Sequence, residues 1–393
     1  MSWQFPLYQP GKPVNWTALE QRFEWFRDMK GVPQDPIWHA EGDVFTHTKM
    51  VVEALCALPE FKKLSEQDKH ILFTAALTHD IEKRSTTSTE VIDGLERIVS
   101  PGHAKKGEFT VRTLLYKDLP TPFLIREQIA KLVRLHGLPL WAIEKPNPAK
   151  AVIGASLVVN TEHLSMLAKA DILGRICNDQ EEILLRIELF NELCKENKCF
   201  GNARAFKSDY GRYLYLNKSE AFPDYLPFDD LKFDVYLMCA LPGSGKDTYI
   251  SQNLDLPVLS LDDIRRAHKI DPRDKKKNGQ VIQLGKEKAK EFMRVKQSFV
   301  FNATNITSDM RSKWISLFTD YGGRVKITYL EVPYKQLISQ NHNREHKVPE
   351  SVVDRMITKL EIPGPQEAHE IDFQVTSSSS DSSYSRSHGN SRP

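Results

Sequence analysis

Residues 233–248, FDVYLMCALPGSGKDT, constrain the fold of this 393-residue chain more than any other stretch. An apolar run typical of a buried strand enters a glycine-rich turn, and a helical pattern follows the turn. Further strand candidates alternate with helical stretches after it, in LPVLSLDDIRR, QSFVFNATN and RVKITYLEVP. Strands that alternate with helices form a parallel sheet covered on both faces. We therefore expect an α/β domain in this part of the chain.

The glycine-rich turn has the composition of a loop that holds phosphate groups. Gly243, Ser244 and Gly245 let backbone N–H groups turn inward, and the following helix N-terminus adds partial positive charge. Lys246 is expected to bridge the β and γ phosphates of ATP. Ala240 replaces the first glycine that is usual in such a loop, at a small cost. The sequence therefore predicts an ATP site.

The residue after this lysine departs from the usual pattern. Ser or Thr normally follows, and its hydroxyl holds Mg²⁺, whereas this chain has Asp247. A carboxylate is a good Mg²⁺ ligand, but it also repels the phosphates beside it. Thr248 belongs to the predicted phosphate-binding stretch but points about 100° away along the helix, so it does not easily replace the missing hydroxyl. We expect Asp247 near Mg²⁺, directly or through water; a loop that binds ATP without turnover is the alternative.

Polar side chains follow two other strand candidates. Asp262 is placed beside the γ-phosphate, where an acceptor hydroxyl would give up its proton. Arg265, one helical turn later, would hold a phosphate of the acceptor, and a helix cap with surface charges is the alternative for this pair. Arg344, in NREHKVP, is expected on a lid over the nucleotide, or else in solvent. The third strand candidate ends in polar residues that would line the cleft, namely Asn302, Thr304 and Asn305.

The preceding residues, 15 to about 200, are predicted to be mostly helical. Apolar residues recur at spacings of three and four in TKMVVEALCAL, HILFTAALTHDI, IREQIAKLVRLHGL and HLSMLAKADILGRI. One such apolar-face histidine is usually a hydrogen-bonded core residue, but four in one domain would each need a buried partner. The four that fall on apolar faces are His47, His79, His103 and His136.

Two carboxylates accompany these histidines. Asp80 directly follows His79, and Asp171 lies in a stretch that is apolar nearly all round. A buried carboxylate is costly unless it is paired or bound to a metal. One cation shared by both carboxylates, His47 and His79 would satisfy all four, and such mixed ligands suit Zn, Mn, Fe, Co or Ni rather than Ca. An ion pair between Asp171 and Arg175 is the alternative.

Composition shifts suggest the domain boundaries. We expect a helical domain over 1–200, a connector over 201–230, the α/β domain over 231–375 and a disordered Ser-rich tail over 376–393. RDKKKNGQ is expected to be a solvated loop, with tracking of a nucleic-acid strand as the alternative. A net charge of +2 does not by itself indicate a nucleic-acid partner.

Cysteine usage and hydropathy bear on location. The five cysteines show no CxxC spacing, which suits free thiols in a reducing cytoplasm. The first ten residues do not resemble a signal peptide, and no apolar stretch reaches the roughly 20 residues of a membrane helix. A cytoplasmic protein without a membrane partner is therefore expected.

The helical half resembles the HD phosphohydrolase superfamily. EGDVFTHTKMVVEAL, LTHDIEK, GHAKKGEFTVRTLL, KLVRLHG and LAKADILGR follow in that family's order over most of residues 39–178. The resemblance implies an all-helical domain that hydrolyses phosphoesters, with a metal on His47, His79, Asp80 and Asp171.

The same resemblance implies roles for residues beside that metal. His103 and His136 would hold a second metal, with Asp80 bridging, or would contact the substrate phosphate. Lys83 lies one helical turn after His79, so its position predicts that it reaches this phosphate, with a solvated charge as the alternative. Glu82 is expected on the surface.

The α/β half, over roughly residues 231–373, looks like polynucleotide kinases that phosphorylate 5′-hydroxyl ends. The resemblance implies that Asp262 is the general base, that Arg265 contacts the 3′-phosphate of the acceptor and that Arg344 is a lid arginine. The family's DaTN motif appears as residues 302–305, followed by a further acceptor-binding candidate, Arg311. Two positions depart from the family: Asn302 replaces the aspartate, and Gln340 replaces a second lid arginine.

The whole chain is similar to bacterial fusions of an HD domain with a polynucleotide kinase, which heal nucleic-acid ends. The resemblance implies RNA or DNA ends and ATP as binding partners, with a separate ligase for sealing. A phosphoesterase would clear a 2′,3′-cyclic, 2′- or 3′-phosphate, and the kinase would phosphorylate the 5′-hydroxyl. Two alternatives stay open: a nucleotidase fused to a nucleoside or sugar kinase, and a non-catalytic nucleic-acid sensor that binds ATP.

Overall fold

The chain forms two compact units, Met1–Ala205 and Phe206–Pro393. The computed structural model describes residues 3–271 and 274–376. All but the first residue of the expected Ser-rich tail therefore lie outside the described residues. The structural division falls between Ala205 and Phe206, near the start of the expected connector.

The first unit is helical apart from one hairpin. The strands of the hairpin, β1 and β2, are antiparallel and pair Ser88 with Val99 and Ile92 with Leu95. Its elements are α1 (Trp16–Arg22), α2 (Glu24–Arg27), α3 (Val44–Ala57), α4 (Pro59–Lys62), α5 (Glu66–Thr78), α6 (Lys83–Thr86), β1 (Ser88–Ile92), β2 (Leu95–Val99), α7 (His103–Lys117), α8 (Phe123–Leu135), α9 (Leu138–Trp141), a 3₁₀ turn (Ala142–Glu144), α10 (Pro148–Ser156), α11 (Thr161–Leu173) and α12 (Gln180–Glu196).

Side-chain caps fix where the central helices begin. Asp43 accepts a hydrogen bond from the N–H of Thr46 at the start of α3, and Ser65 accepts one from Asp68 at the start of α5. Asn160 caps α11 in the same way. Every residue from His70 to Thr78 in α5 is buried, so this helix lies at the centre of the unit and presents His79 at its end to the interior.

The second unit is a five-stranded parallel sheet with helices, which confirms the predicted fold class. The strand order is β4-β5-β3-β6-β7. The elements are α13 (Asp209–Asn217), β3 (Phe233–Ala240), α14 (Lys246–Asn253), β4 (Val258–Ser260), α15 (Leu261–Ala267), α16 (Lys275–Arg294), β5 (Phe299–Asn302), α17 (Ser308–Asp320), β6 (Gly323–Glu331), α18 (Tyr334–His342), α19 (Glu350–Ile357) and β7 (Glu370–Val375).

The order of the strands places the predicted site at one edge of this sheet. β3 is the central strand and pairs with both β5 and β6. The glycine-rich loop follows β3, Asp262 follows β4, and Asn302 ends β5. Ligands of open α/β sheets bind outside the carboxyl ends of the strands, so these three features converge where a ligand is expected.

Two segments differ from their sequence prediction. RDKKKNGQ was predicted to be a loop, but from Lys275 onward it forms the beginning of α16, because Asp274 caps that helix by accepting from the N–H groups of Lys276 and Lys277. The expected connector contains α13, which belongs to the second unit.

Within residues 3–271 and 274–376, no single helix is long and apolar enough to cross a membrane. The bent pair Pro148–Ser156 and Thr161–Leu173 meets that test by length and composition only, with a bend of 108°.

Candidate active sites

Four imidazoles in the first unit are all oriented in the same way. Each Nδ1 lies 2.7 to 2.9 Å from an oxygen acceptor of the chain: Glu41 Oε1 for His47, Ala76 O for His79, Ser100 O for His103 and Val133 O for His136. Because the backbone oxygens only accept hydrogen bonds, Nδ1 carries the proton in His79, His103 and His136, and the Glu41 carboxylate at 2.9 Å favours the same tautomer in His47. Nε2 of such a neutral ring keeps its lone pair. The four Nε2 atoms are therefore available as ligands.

These Nε2 atoms converge on the two predicted carboxylates. His47 Nε2 lies 3.1 Å from Asp171 Oδ1, and His79 Nε2 lies 3.2 Å from Asp80 Oδ2. His103 Nε2 lies 3.3 Å from the other oxygen of Asp80, Oδ1. The structure thus brings all six predicted metal ligands together, with Asp80 between two groups of imidazoles.

The arrangement fits one or two bound cations. His47 Nε2 and His79 Nε2 face each other at 3.4 Å, and so do His103 Nε2 and His136 Nε2, although neither partner has a proton to donate when neutral. Asp80 Oδ1 is buried and accepts no hydrogen bond within the described part of the chain. The ligand atoms of His47, His79 and Asp80 lie within 4.8 Å of one another, as do those of Asp80, His103 and His136.

The electrostatics keep both carboxylates ionised. Burial alone would raise the pKa of Asp80, but the Lys83 ammonium and the neighbouring imidazoles lower it well below its usual value. Burial is likewise outweighed at Asp171, whose pKa is lowered by Arg175 and His47. The alternative ion pair with Arg175 is present at 2.5 Å through Asp171 Oδ2, while Oδ1 faces His47. The Asp171 carboxylate therefore contacts Arg175 and His47 at the same time, through different oxygens.

Two charged residues lie beside this cluster, and one of them, Glu82, differs from its sequence prediction. Lys83 is not solvated: its Nζ lies 2.8 Å from Asp80 Oδ2 and donates to Gln34 Oε1. Glu82 was expected on the surface but is buried, because Thr110, Ser85 and Lys106 surround its carboxylate.

Glu41 was missed by the sequence analysis. Its Oε1 lies 2.7 Å from His39 Nδ1 and 2.9 Å from His47 Nδ1, and its Oε2 accepts from the N–H of Ile176. It precedes α3 in a loop, where helical periodicity gives no signal, and its contact with Ile176 spans 135 residues.

In the second unit, the glycine-rich loop closes tightly against α18. Gly243 and Gly245 have φ values of +89° and +85°, which favour glycine. A Cβ at Gly243 would lie 2.9 Å from the backbone oxygen of Leu337 and 3.1 Å from the N of Asn341. No larger residue fits at position 243 without movement of α18.

The charged residues of the predicted ATP site act on one another. Burial lowers the pKa of Lys246, and the charge of Arg344 lowers it further, while Asp247 and Asp262 raise it. Asp262 is 60% exposed and pairs with Arg265, which also donates from Nε to Asn278 Oδ1 at 3.1 Å. The predicted lysine, base and lid arginine thus lie around a single location.

A pocket of about 430 Å³ lies at this location. Asp247 and Arg344 line it, together with residues that the sequence analysis did not assign: Arg266, Glu345 and His346. Asn341 holds the segment with Arg344, since its side chain donates to Val348 O at 2.7 Å and accepts from Val348 N at 3.2 Å. Gln340 precedes it on α18.

Two acceptor-binding predictions require correction. Arg311 is fully buried, and its guanidinium donates to Glu367, Asn305 O and Glu361 O, so it is bound to the protein itself. Asn305 is also buried and donates to Met238 O. Thr304 remains half-buried beside them.

Two family models match the chain, an HD domain over residues 44–176 and an AAA domain over residues 235–363. The chain joins an HD domain to an AAA domain. The HD match contains all six convergent ligands, and the AAA match contains the glycine-rich loop, Asp262 and Arg344. An HD domain implies a divalent metal, and a kinase-like AAA domain implies ATP with Mg²⁺, so this combination of domains indicates an enzyme.

Several solved structures share similarity with the HD–AAA chain. A Pnkp1/Rnl/Hen1 complex is 16% identical with a TM-score of 0.28, and the match covers 32% of this chain and 43% of that one. A sugar kinase from Janibacter sp. is 16% identical with a TM-score of 0.29, covering 36% and 85%. A gluconokinase from Sinorhizobium meliloti is 14% identical with a TM-score of 0.27, covering 37% and 83%. Scores this low assign no function to the chain.

Proposed function

We propose that the HD–AAA chain is a bifunctional cytoplasmic enzyme that heals broken RNA or DNA ends. The HD domain would hydrolyse 2′,3′-cyclic phosphates or 2′- or 3′-phosphates, and the AAA domain would phosphorylate 5′-hydroxyl ends with ATP. The observation that carries the proposal is that one chain holds both the convergent imidazole–carboxylate cluster and the loop with Lys246, Asp262 and Arg344 around it. A separate ligase would join the healed ends.

In the HD domain, the residues named above would hold a divalent metal and orient a phosphoester. When bound, the metal activates water and draws charge from the phosphoryl oxygens. His103 is the most exposed of the four imidazoles, with 23% of its side chain accessible, so the substrate phosphate would enter from its side. Lys83 holds Asp80 ionised and in place, and adds positive charge near that phosphate.

In the AAA domain, each charged residue has one task in phosphoryl transfer. Asp262 would accept the proton of the acceptor hydroxyl as its oxygen bonds to the γ-phosphorus and ADP leaves. Lys246 and Arg344 would neutralise the charge on the phosphates, while Asp247 would hold Mg²⁺. Arg265 pairs with Asp262 and would hold a phosphate of the acceptor beside that carboxylate.

Features near Asp262 favour a polynucleotide acceptor. The side chain of Asp262 is 60% exposed, so the end of a long polynucleotide can approach this proposed general base without steric hindrance. Lys276 and Lys277 are exposed in the first turn of α16, beside Asn278 that contacts Arg265. Lysines at a helix N-terminus are repelled by the partial positive charge of the helix dipole. Binding of nucleic-acid phosphates would compensate for this unfavourable position.

One oligonucleotide tests both halves of the proposal. It carries a 5′-hydroxyl and a 2′,3′-cyclic phosphate and is incubated with ATP, Mg²⁺ and Mn²⁺, and both ends are then analysed. We expect Asp262→Ala to lose 5′ phosphorylation by about 10²- to 10⁴-fold and to keep hydrolysis at the other end. Asp80→Ala should show the opposite pattern, because the two sites lie in different units.

Free nucleosides and sugars serve as competing acceptors. Faster phosphorylation of these small molecules than of the oligonucleotide would replace the proposal with a small-molecule kinase. ATP binding without turnover on any acceptor would instead indicate a non-catalytic sensor.

A further inference from the structure

An aspartate and an asparagine meet beside the ATP loop. Asp247 lies in the first turn of α14, and Asn302 ends β5, the strand next to β3. Asn302 Nδ2 donates to Asp247 Oδ1 at 2.8 Å, although the two residues are 55 positions apart. The contact therefore depends on the fold of the sheet and not on local sequence.

The residue types at these two positions are the reverse of the usual ones. P-loop NTPases generally hold Mg²⁺ with a Ser or Thr of the loop and with an aspartate that ends a neighbouring strand. Here the loop carries the carboxylate, and the strand carries a neutral side chain. We propose that Asp247 and Asn302 have exchanged roles, so that Asp247 is the carboxylate of the Mg²⁺ site and Asn302 is its positioning residue.

The exchange preserves the charge of the site. In either arrangement one carboxylate faces one neutral side chain, so the pair contributes a charge of −1 next to Mg²⁺ and the phosphates. The hydrogen bond is also preserved with its direction reversed: a loop hydroxyl normally donates toward the strand, whereas here the strand amide donates toward the loop. A carboxylate can only accept, so the amide nitrogen of Asn302 must be the side that faces Asp247.

Neither residue tolerates change alone under this proposal. Asn302→Asp places two carboxylate groups at hydrogen-bond distance, where they repel each other and the phosphates. Asp247→Ser leaves the pair without a charge for Mg²⁺. The double variant Asp247→Ser/Asn302→Asp regains one carboxylate and one donor, in the usual arrangement.

The inference rests on the proposed function, because it requires that the pocket next to Asp247 and Arg344 binds Mg²⁺ with ATP. The experiment measures ATP affinity by calorimetry for the full chain, with Mg²⁺ and with EDTA, in the wild type, both single variants and the double variant. Mn²⁺ binding in the presence of ATP is measured in parallel by electron paramagnetic resonance. Asp309→Ser is the matched control, since Asp309 is also an aspartate in the first turn of a helix, α17, where it pairs with Lys313.

We expect each single variant to lose about tenfold or more of its Mg²⁺-dependent ATP affinity, and the double variant to recover most of that loss. For Asp247→Ser, the ATP affinity in EDTA should change much less, which a general folding defect would not produce. Independent, additive losses in the double variant would overturn the role exchange while leaving the ATP site intact. Absence of Mg²⁺-dependent ATP binding in the wild type would overturn the proposed kinase as well.

Discussion

Glu41 is a buried carboxylate that contacts two imidazoles without belonging to the six proposed metal ligands. Burial would raise the pKa of Glu41, but hydrogen bonds from His39, His47 and the N–H of Ile176 lower it far below its usual value, so the group is ionised. An ionised acceptor on Nδ1 fixes the ring of His47 and makes its Nε2 a stronger ligand.

Replacement of this group tests that role. Glu41→Gln keeps the shape but removes the charge from His47, so we expect metal affinity to fall by about 10- to 100-fold. Competition against a chromophoric chelator for Zn²⁺ measures the affinity directly. Glu181→Gln, an exposed change in the first turn of α12, should retain wild-type affinity. Equal affinity in Glu41→Gln and wild type would show that Glu41 only joins the loop to Ile176.

At the residue scale, sequence patterns identified residues that share a helix face. They did not identify residues that contact each other but lie far apart in the sequence. Each of the four histidines shared a face with apolar residues, so the burial of His47, His79 and His136 was predictable, whereas His103 is partly exposed. Arg311 followed a polar motif and looked like an acceptor ligand, because its partner Glu367 lies 56 residues away. The contact between Asp247 and Asn302 was missed for the same reason.

At the element scale, α16 presents lysines where its own dipole disfavours them. Lys276→Glu combined with Lys277→Glu should stabilise the helix N-terminus by about 0.3 to 1 kcal/mol per residue, yet weaken oligonucleotide phosphorylation through a higher KM. The KM for ATP should not change, because the ATP loop follows a different strand. Steady-state kinetics at several salt concentrations, with a melting curve for each variant, measure both effects.

A control on the same helix separates a local role from a general charge effect. Lys288→Glu, in the last third of α16, reverses the charge of an exposed lysine near Glu291. If this control raises the oligonucleotide KM as much as the double variant does, the first turn has no special role. An unchanged salt dependence in the double variant would argue against phosphate contacts there.

Strand prediction failed where burial is partial. β3, β5 and β6 are largely buried and rich in apolar, β-branched and aromatic residues, so they were visible in the sequence. β7 is half-buried and alternates polar and apolar residues over only six positions, EIDFQV, and β1 is exposed throughout, so both give a weaker signal than the buried strands. β7 pairs with β6, which lies far earlier in the chain, whereas β1 pairs with the adjacent strand β2 in a hairpin.

At the scale of the whole molecule, the two-part organisation was predictable because the hydrophobic period changes from helical to strand-like near residue 230. The boundary itself was harder to place, because α13 is short and lies between a helical domain and the first strand of the sheet. The contacts of α13 explain why it belongs to the second unit. Arg212 donates to the backbone oxygens of Pro365 and His369, and the ring of Tyr213 lies 4.3 Å from that of His369.

These contacts predict where the chain can be divided. His369 accepts from the N–H of Val325 in β6, so α13 supports the residue that secures this strand. A fragment over 206–393 should therefore fold and phosphorylate 5′-hydroxyl ends, whereas a fragment over 231–393, which lacks α13, should melt at a clearly lower temperature. Fragment 1–205 should retain metal binding, because all six ligands and Glu41 lie within it. Thermal melting and end-labelling of the three fragments measure this, and equal melting temperatures for 206–393 and 231–393 would show that α13 adds nothing to the stability of the sheet.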